Sequence, residues 1–134
     1  MTAYVDLLRE KKLTVTPQRL EIVNILSLHG HLNIDELYKL LSVSFPSLSL
    51  ATVYKNIHTM LEKLFLSEVQ IPHKKNVYEL IKDEHAHVVC SKCNTILDIY
   101  LDTSSLIQEA QSKSNFTLES NNLVFNGICS SCEA

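Results

Sequence analysis

Apolar residues recur at helical spacing through the first 64 positions, then give way to short strand-like runs. Residues 2–12 predict a short amphipathic helix with Tyr4, Leu7 and Leu8 on one side. Thr16-Pro17 opens the next helix: Thr serves as N-cap, and Pro at the first helical position loses nothing by lacking an N–H. Leu20, Val23, Ile25 and Leu26 form its apolar stripe, and Gly30 ends it. Asn33 and Glu36 match a capping box with Asn in the Ser/Thr role. The helix they start bears Ile34, Leu37, Leu40 and Leu41 and stops at Phe45-Pro46. Ser49 caps a further helix, along which Val53, Ile57, Met60, Leu61 and Leu64 recur. Residues 66–71 and 77–81 then read as strands, joined by the polar, basic turn Pro72-His73-Lys74-Lys75-Asn76. Helices followed by a hairpin predict a winged helix-turn-helix.

The grammar changes after residue 82. Residues 88–89, 96–101, 116–118 and 123–128 look like strands. Ser105 and Gln108 offer a capping box for one helix ending near Lys113. An α/β module of this size, about 50 residues, needs a staple or a partner. The expected fold class is α+β: a winged-helix domain over residues 1–82 and a small α/β domain over 83–134.

Charge divides the chain at the same place. Up to Lys82 there are ten Lys/Arg and eight Asp/Glu, or +2; beyond it there are two Lys and seven Asp/Glu, or −5, which together give the net −3. The N-terminal part is the better partner for a polyanion, but +2 does not by itself predict nucleic-acid binding. No apolar run approaches the roughly 20 residues of a membrane span, and the N-terminus has no apolar signal-peptide core. A cytoplasmic location is the default expectation, and no membrane partner is expected. In a reducing cytosol, cysteines arranged as two Cys-x-x-Cys pairs point to zinc rather than disulfides.

Those pairs carry the most specific chemistry. Cys90, Cys93, Cys129 and Cys132 form a Cys-x2-Cys, x35, Cys-x2-Cys set. Four thiolates close a tetrahedral zinc site and leave no position for water, so the zinc is structural. The alternative is a redox dithiol, which usually starts a helix, a context not expected for either pair. His85 and His87 stand just before the first pair. Two alternating histidines share one face if the segment is a strand, and they point to a second metal. Glu79 lies six residues before His85 on the second predicted wing strand, and Asp98 lies five after Cys93 on the next predicted strand. Imidazole with carboxylate suits Fe(II), Mn(II) or Zn(II) rather than a thiophilic metal. Such a site would straddle the domain boundary, where metal binding could act as a switch.

On the helix after Ser49, the residues Thr52, Tyr54, Lys55 and Asn56 bring small, aromatic and basic groups to the face away from the apolar stripe. A helix N-terminus favours phosphate; Tyr54 suits thymine methyls or bases in a major groove and Lys55 a backbone phosphate. The bland alternative is a solvated helix face, and the same applies to the basic turn at Lys74 and Lys75. A zinc deaminase needs a His-x-Glu pair and an open zinc position; here His87 stands where that Glu would be, so an enzyme is not expected. A structural zinc module for protein interaction is more tenable but leaves the helix-turn-helix half unexplained.

Taken together these residues resemble the ferric uptake regulator family of bacterial metal-dependent repressors. The marks are Thr16-Pro17-Gln18-Arg19, Ser49-Leu50-Ala51-Thr52-Val53-Tyr54, His85-x-His87-x-x-Cys90-x-x-Cys93 and Cys129-x-x-Cys132, and they span nearly the whole chain. The resemblance implies a winged-helix DNA-binding domain, a C-terminal dimerisation domain, and a homodimer on a palindromic, A/T-rich double-stranded operator. It adds Arg19 to a DNA-binding set of Ser49, Thr52, Tyr54, Lys55, Lys74 and Lys75. The chain is most similar to the family's peroxide-sensing repressors, whose regulatory Fe(II) or Mn(II) site maps onto His31, Glu79, His85, His87 and Asp98. In those sensors, peroxide acting on bound Fe(II) oxidises a ligand histidine, a role that falls here on His31 or His85. One position departs: the wing-strand carboxylate is Glu79, where the peroxide sensors usually carry Asp and the iron sensors Glu. In the other direction, Ala86 and Asn121-Asn122 stand where iron-type members place a further metal site. Iron and other divalent-metal uptake regulators remain the alternatives.

Overall fold

The structure is a computed structural model; it describes residues 2–119 and 122–133, without the Thr2 side chain, so Asn121 of the Asn121-Asn122 pair lies outside the described residues. It divides into two compact units, Met1–Lys82 and Asp83–Ala134.

The first unit runs α1 (Thr2–Glu10), α2 (Pro17–His29), β1 (Leu32–Asn33), α3 (Ile34–Ser44), α4 (Leu50–Glu62), β2 (Leu66–Val69) and β3 (Val77–Leu80). The helix starts follow from their caps. Thr16 Oγ1 accepts the Arg19 N–H at 3.2 Å, and Ser49 Oγ accepts the Thr52 N–H at 3.1 Å. Asn33 and Glu36 close both bonds of the capping box, at 2.9 and 3.0 Å. Gly30 ends α2 at φ 81°, a conformation that costs a side-chain-bearing residue more. Ile22, Val23, Ile25 and Leu26 of α2 pack with Leu37 and Leu41 of α3 and Val53, Ile57 and Met60 of α4 in one apolar cluster.

Two details differ from the sequence pattern. Ile22 is buried while Leu20 is only partly so, which widens the α2 stripe. Leu64 is 66% exposed, because α4 ends at Glu62 and Leu64 already sits in the left-handed region at φ 57°. The third strand of the sheet, β1, is two residues long and has no periodicity to read. It pairs antiparallel with β3, which pairs antiparallel with β2, in the order β1-β3-β2.

The second unit runs β4 (Ala86–Cys90), β5 (Ile96–Ile99), α5 (Ser104–Ser114), β6 (Val124–Gly127) and α6 (Ser130–Glu133). β4 and β5 form an antiparallel hairpin, and β6 returns parallel to the other edge of β4. A parallel neighbour needs a long crossover, which α5 supplies. Its buried apolar set is small among the described residues: Ala86, Val89 and Cys90, all on β4.

Three expectations fail in this unit. The Ser105–Gln108 capping box does not form: α5 starts one residue earlier with Thr103 as N-cap and no side-chain cap bond. Asp102 instead accepts the Ser104 N–H at 3.1 Å and its hydroxyl at 2.7 Å. Residues 116–118 are not a strand, because their backbone donors are taken by side chains. The Phe116 N–H bonds Ser114 Oγ and the Leu118 N–H bonds Gln111 Oε1. Finally, the last Cys-x-x-Cys does start a helical turn, since α6 begins at Ser130 directly after Cys129. Among the described residues no helix is long and apolar enough to cross a membrane.

Candidate metal centre

The thiolate site lies wholly in the second unit. The β4–β5 turn holds Cys90 and Cys93, with Asn94 in the left-handed region at φ 65° closing the knuckle by donating its N–H to the Cys90 carbonyl at 2.9 Å. β6 runs beside β4 in the register Cys90↔Gly127. That register delivers Cys129 to Cys90, and the turn of α6 brings in Cys132. All four Sγ atoms lie within 4.8 Å of one another, and the cysteines are free. Zn–S bonds of about 2.3 Å at tetrahedral angles place sulfurs roughly 3.8 Å apart. Cys93 Sγ and Cys129 Sγ are 3.8 Å apart, so the donor set fits one zinc ion.

The protein prepares these thiols unequally. The N–H groups of Cys129 and Cys93 point at Cys90 Sγ from 3.4 and 3.5 Å and draw its thiol down to about 5. The Thr95 hydroxyl, 3.1 Å from Cys93 Sγ, lowers Cys93 as well. Cys132 is pushed up to about 12, first by its hydrogen bond with Cys129 and then by that with Cys93.

A second kind of donor set recurs, once in each unit, and in both cases strand register builds it. In the first unit β1 pairs with β3 through Leu32↔Tyr78 and Asn33↔Val77. One residue beyond that register, His31 stands opposite Glu79, and His31 Nε2 lies 3.0 Å from Glu79 Oε2. Glu79 is only 2% exposed. A buried carboxylate must be paired, and this histidine pairs it. In the second unit β4 and β5 place His87 directly opposite Asp98, with Nε2 and Oδ1 3.4 Å apart. His85, just before β4, turns its ring against His87, with ring centroids 4.6 Å apart.

His85 Nδ1 sits 2.7 Å from the Asp83 carbonyl oxygen. A carbonyl only accepts, so Nδ1 is the donor there and Nε2 is the nitrogen turned toward His87 and Asp98. That Nε2 is 3.1 Å from His87 Nε2 and 3.6 Å from Asp98 Oδ1. Two imidazole nitrogens and a carboxylate oxygen thus converge, an arrangement that a proton or a divalent cation stabilises. Nitrogen and oxygen donors without sulfur suit Fe(II), Mn(II) or Zn(II). His31 has no spacing signal in the sequence; the signal is the register of a strand too short to predict.

The α4 surface is laid out as a reading face. Thr52, Tyr54 and Lys55 are exposed, while Val53, Ile57 and Met60 are buried behind them. Of the remaining members of the predicted DNA-binding set, Ser49, Arg19 and Lys75 are committed within the unit. Ser49 caps α4. Arg19 donates from Nε to Asn56 Oδ1 at 3.1 Å and from a terminal nitrogen to the Thr14 carbonyl at 2.9 Å. On the wing, Lys74 is exposed and Lys75 pairs with Asp35 of α3.

A winged helix joined to a cysteine-clustered α/β unit, with histidine–carboxylate pairs in both, defines a metal-binding transcription regulator. The comparisons agree. The sequence model of the Ferric uptake regulator family matches residues 10–126. The chain is 30% identical to the peroxide-responsive repressor PerR of Staphylococcus epidermidis, over 94% of this chain and 85% of that one. It is similar to the crystal structure of the Campylobacter jejuni peroxide stress regulator: TM-score 0.71, 34% identity, 96% of this chain and 98% of that one. It is similar too to the Vibrio cholerae ferric uptake regulator: TM-score 0.74, 29% identity, 92% and 98%. The chain belongs to the ferric uptake regulator family and is a DNA-binding, metal-binding transcription regulator.

Proposed function

We propose that this regulator is a peroxide-responsive repressor. In this reading His31, Glu79, His85, His87 and Asp98 hold one exchangeable Fe(II) or Mn(II), and the four cysteines hold a permanent structural zinc. The observation that carries it is the repeated cross-strand pairing of histidine with carboxylate, His31 with Glu79 and His87 with Asp98, kept apart in chemistry from the thiolates. Such a set binds a labile divalent ion, while the sulfur set binds zinc firmly. Loss of one donor lowers affinity for the labile ion without touching the zinc.

Fe(II) held by these residues would supply the electron that splits the O–O bond of peroxide; one oxygen would end on a ring carbon of His31 or His85 and the other leave as water. The oxidised ring would be a weaker nitrogen donor, so the site would lose its metal and the protein its hold on DNA. Mn(II) would support DNA binding without starting that oxidation. The similarity to PerR over nearly the whole chain supports this reading.

Thr52, Tyr54 and Lys55 are then the residues of α4 that meet the operator, with Lys74 on the wing and Ser49, Arg19 and Lys75 supporting them from within the unit. The operator would be palindromic and A/T-rich, matching a homodimer. Dimerisation is supported by the apolar surface of the second unit. Leu97, Tyr100, Leu106, Phe116 and Phe125 are each at least 46% exposed there, and α5 has no buried residue. Surface of that kind calls for a partner.

A second reading, an iron uptake regulator, is favoured by Glu79 in place of Asp. Mobility shifts on upstream regions of catalase and iron-uptake genes, with Mn(II), with Fe(II), and with Fe(II) followed by peroxide, separate the two. Peroxide-dependent release from Fe(II) but not Mn(II) supports peroxide sensing. Retention after peroxide, with release on chelation alone, supports iron sensing.

A further inference from the structure

We infer that Arg19 serves DNA recognition as a positioning residue, tying the start of α2 to the first turns of α4, and not as a phosphate contact. This rests on α4 being the DNA-reading helix.

The geometry is a continuous chain of hydrogen bonds inside the first unit. Arg19 is the third residue of α2, and its own N–H is taken by the Thr16 cap. Its guanidinium reaches the Thr14 carbonyl on one side and Asn56 Oδ1 on the other. Arginine can only donate, so Asn56 Oδ1 must accept, and the amide orientation is fixed. Asn56 Nδ2 then donates to the Thr52 carbonyl at 3.2 Å. Thr52 Oγ1 lies 2.9 Å from Ser49 Oγ, and the Thr52 N–H completes the Ser49 cap. The route runs from the loop before α2, through Arg19 and Asn56, to the N-cap of α4.

Its consequence is directional. Tyr54 and Lys55 lie on the same two turns as Thr52 and Asn56, so whatever fixes Asn56 fixes the angle at which they are offered. Charged hydrogen bonds are the stronger ones, and the planar fork of arginine spans two acceptors that a lysine ammonium cannot hold in the same way. These two bonds use two of the five guanidinium N–H donors and fix its plane; whether the others also meet a phosphate is what the salt dependence decides.

The test uses the full-length Mn(II)-loaded protein and a duplex that this protein selects from a random-sequence pool, with a scrambled duplex as control. Arg19→Ala and Asn56→Ala are each expected to weaken binding about tenfold, the order of one charged hydrogen bond. The double variant should be no weaker than the worse single one, because both break one linkage. The dependence of affinity on salt should keep its wild-type slope in Arg19→Ala, whereas a lost phosphate contact lowers that slope by about 0.9. Arg19→Lys should stay as weak as Arg19→Ala, since charge without the fork does not restore the link.

Additive losses, a reduced salt slope, or rescue by lysine would each overturn the positioning role. Asn56→Ala and Arg19→Lys decide the matter even where Arg19→Ala fails to fold. Tyr54→Ala is the separate control for the underlying reading: unchanged binding there refutes α4 as the reading helix and leaves the Arg19–Asn56 coupling to be judged by the cycle.

Discussion

Replacing Cys90 by serine removes the best-prepared of the four sulfur ligands. Cys90 ends β4, is 4% exposed, and accepts the Cys93 and Cys129 N–H groups at 3.5 and 3.4 Å. Serine oxygen sits closer to its own Cβ, so both N–H groups would lie beyond the ~3.2 Å reach of an N–H···O bond. The hydroxyl also stays protonated and is a poor zinc ligand. The size of the effect follows from how little else holds this unit. Its described apolar burial is confined to Ala86, Val89 and Cys90 itself. Structural zinc in small domains contributes an apparent ~10–16 kcal/mol, as much as the ~5–15 kcal/mol that stabilises a typical domain altogether. Cys90→Ser is therefore expected to drop zinc from one per chain to background and to lose the dimer, while the first unit, with its own core, still folds. Metal analysis by mass spectrometry, sedimentation, and amide exchange resolved between residues 2–82 and 83–133 measure the three effects. A Cys90→Ser protein that keeps one zinc and a stable dimer refutes the staple.

Other consequences follow from the same geometry. His87→Ala removes a buried donor opposite Asp98 and should keep zinc and fold while abolishing Mn(II)-dependent DNA binding; unchanged affinity in Mn(II) would count against the regulatory site. Asn33→Ala removes the side-chain half of the α3 capping box beside His31, the Oδ1 that accepts the Glu36 N–H, and should destabilise the first unit by about 1 kcal/mol, read as a lower melting temperature; no shift means the cap is dispensable. Zinc uptake by the metal-free protein at pH 7 should release fewer than four protons for the four cysteines, because Cys90, drawn down to about 5, is already a thiolate, whereas Cys132, held up to about 12, must give up its proton. Zinc affinity then falls as pH falls, and most steeply as Cys90 itself protonates near 5; calorimetry in buffers of different ionisation enthalpy counts the protons, and a release of four contradicts the thiolate.

Much of this is legible in the sequence because it depends on local chemistry. Thr16 before Pro17, Asn33 three before Glu36, and Ser49 before an apolar run each act within one helical turn, and all three cap as read. The cysteine quartet was legible because a structural zinc takes four donors, and two Cys-x-x-Cys pairs supply them at knuckle spacing. What spacing alone could not show depended on longer range or on competition. His31 owes its partner to β1, two residues of strand whose pairing lies more than forty positions away. Ser105 and Gln108 had the letters of a capping box, but Asp102 offered a nearer acceptor. Phe116 and Leu118 looked like strand residues, yet Ser114 and Gln111 side chains capture their N–H groups. The committed state of Arg19 and Lys75 was likewise invisible, because a basic residue looks the same in sequence whether it faces solvent or another side chain.

In the proposed reading the histidine–carboxylate donors form a peroxide-reactive iron site. Mass spectrometry of the Fe(II)-loaded protein after mild peroxide tests it most directly. A +16 Da shift on His31 or His85, absent from the Mn(II)-loaded protein, is the predicted result. Unmodified histidines in both forms, with DNA binding that follows iron supply alone, would contradict it and make this chain an iron sensor.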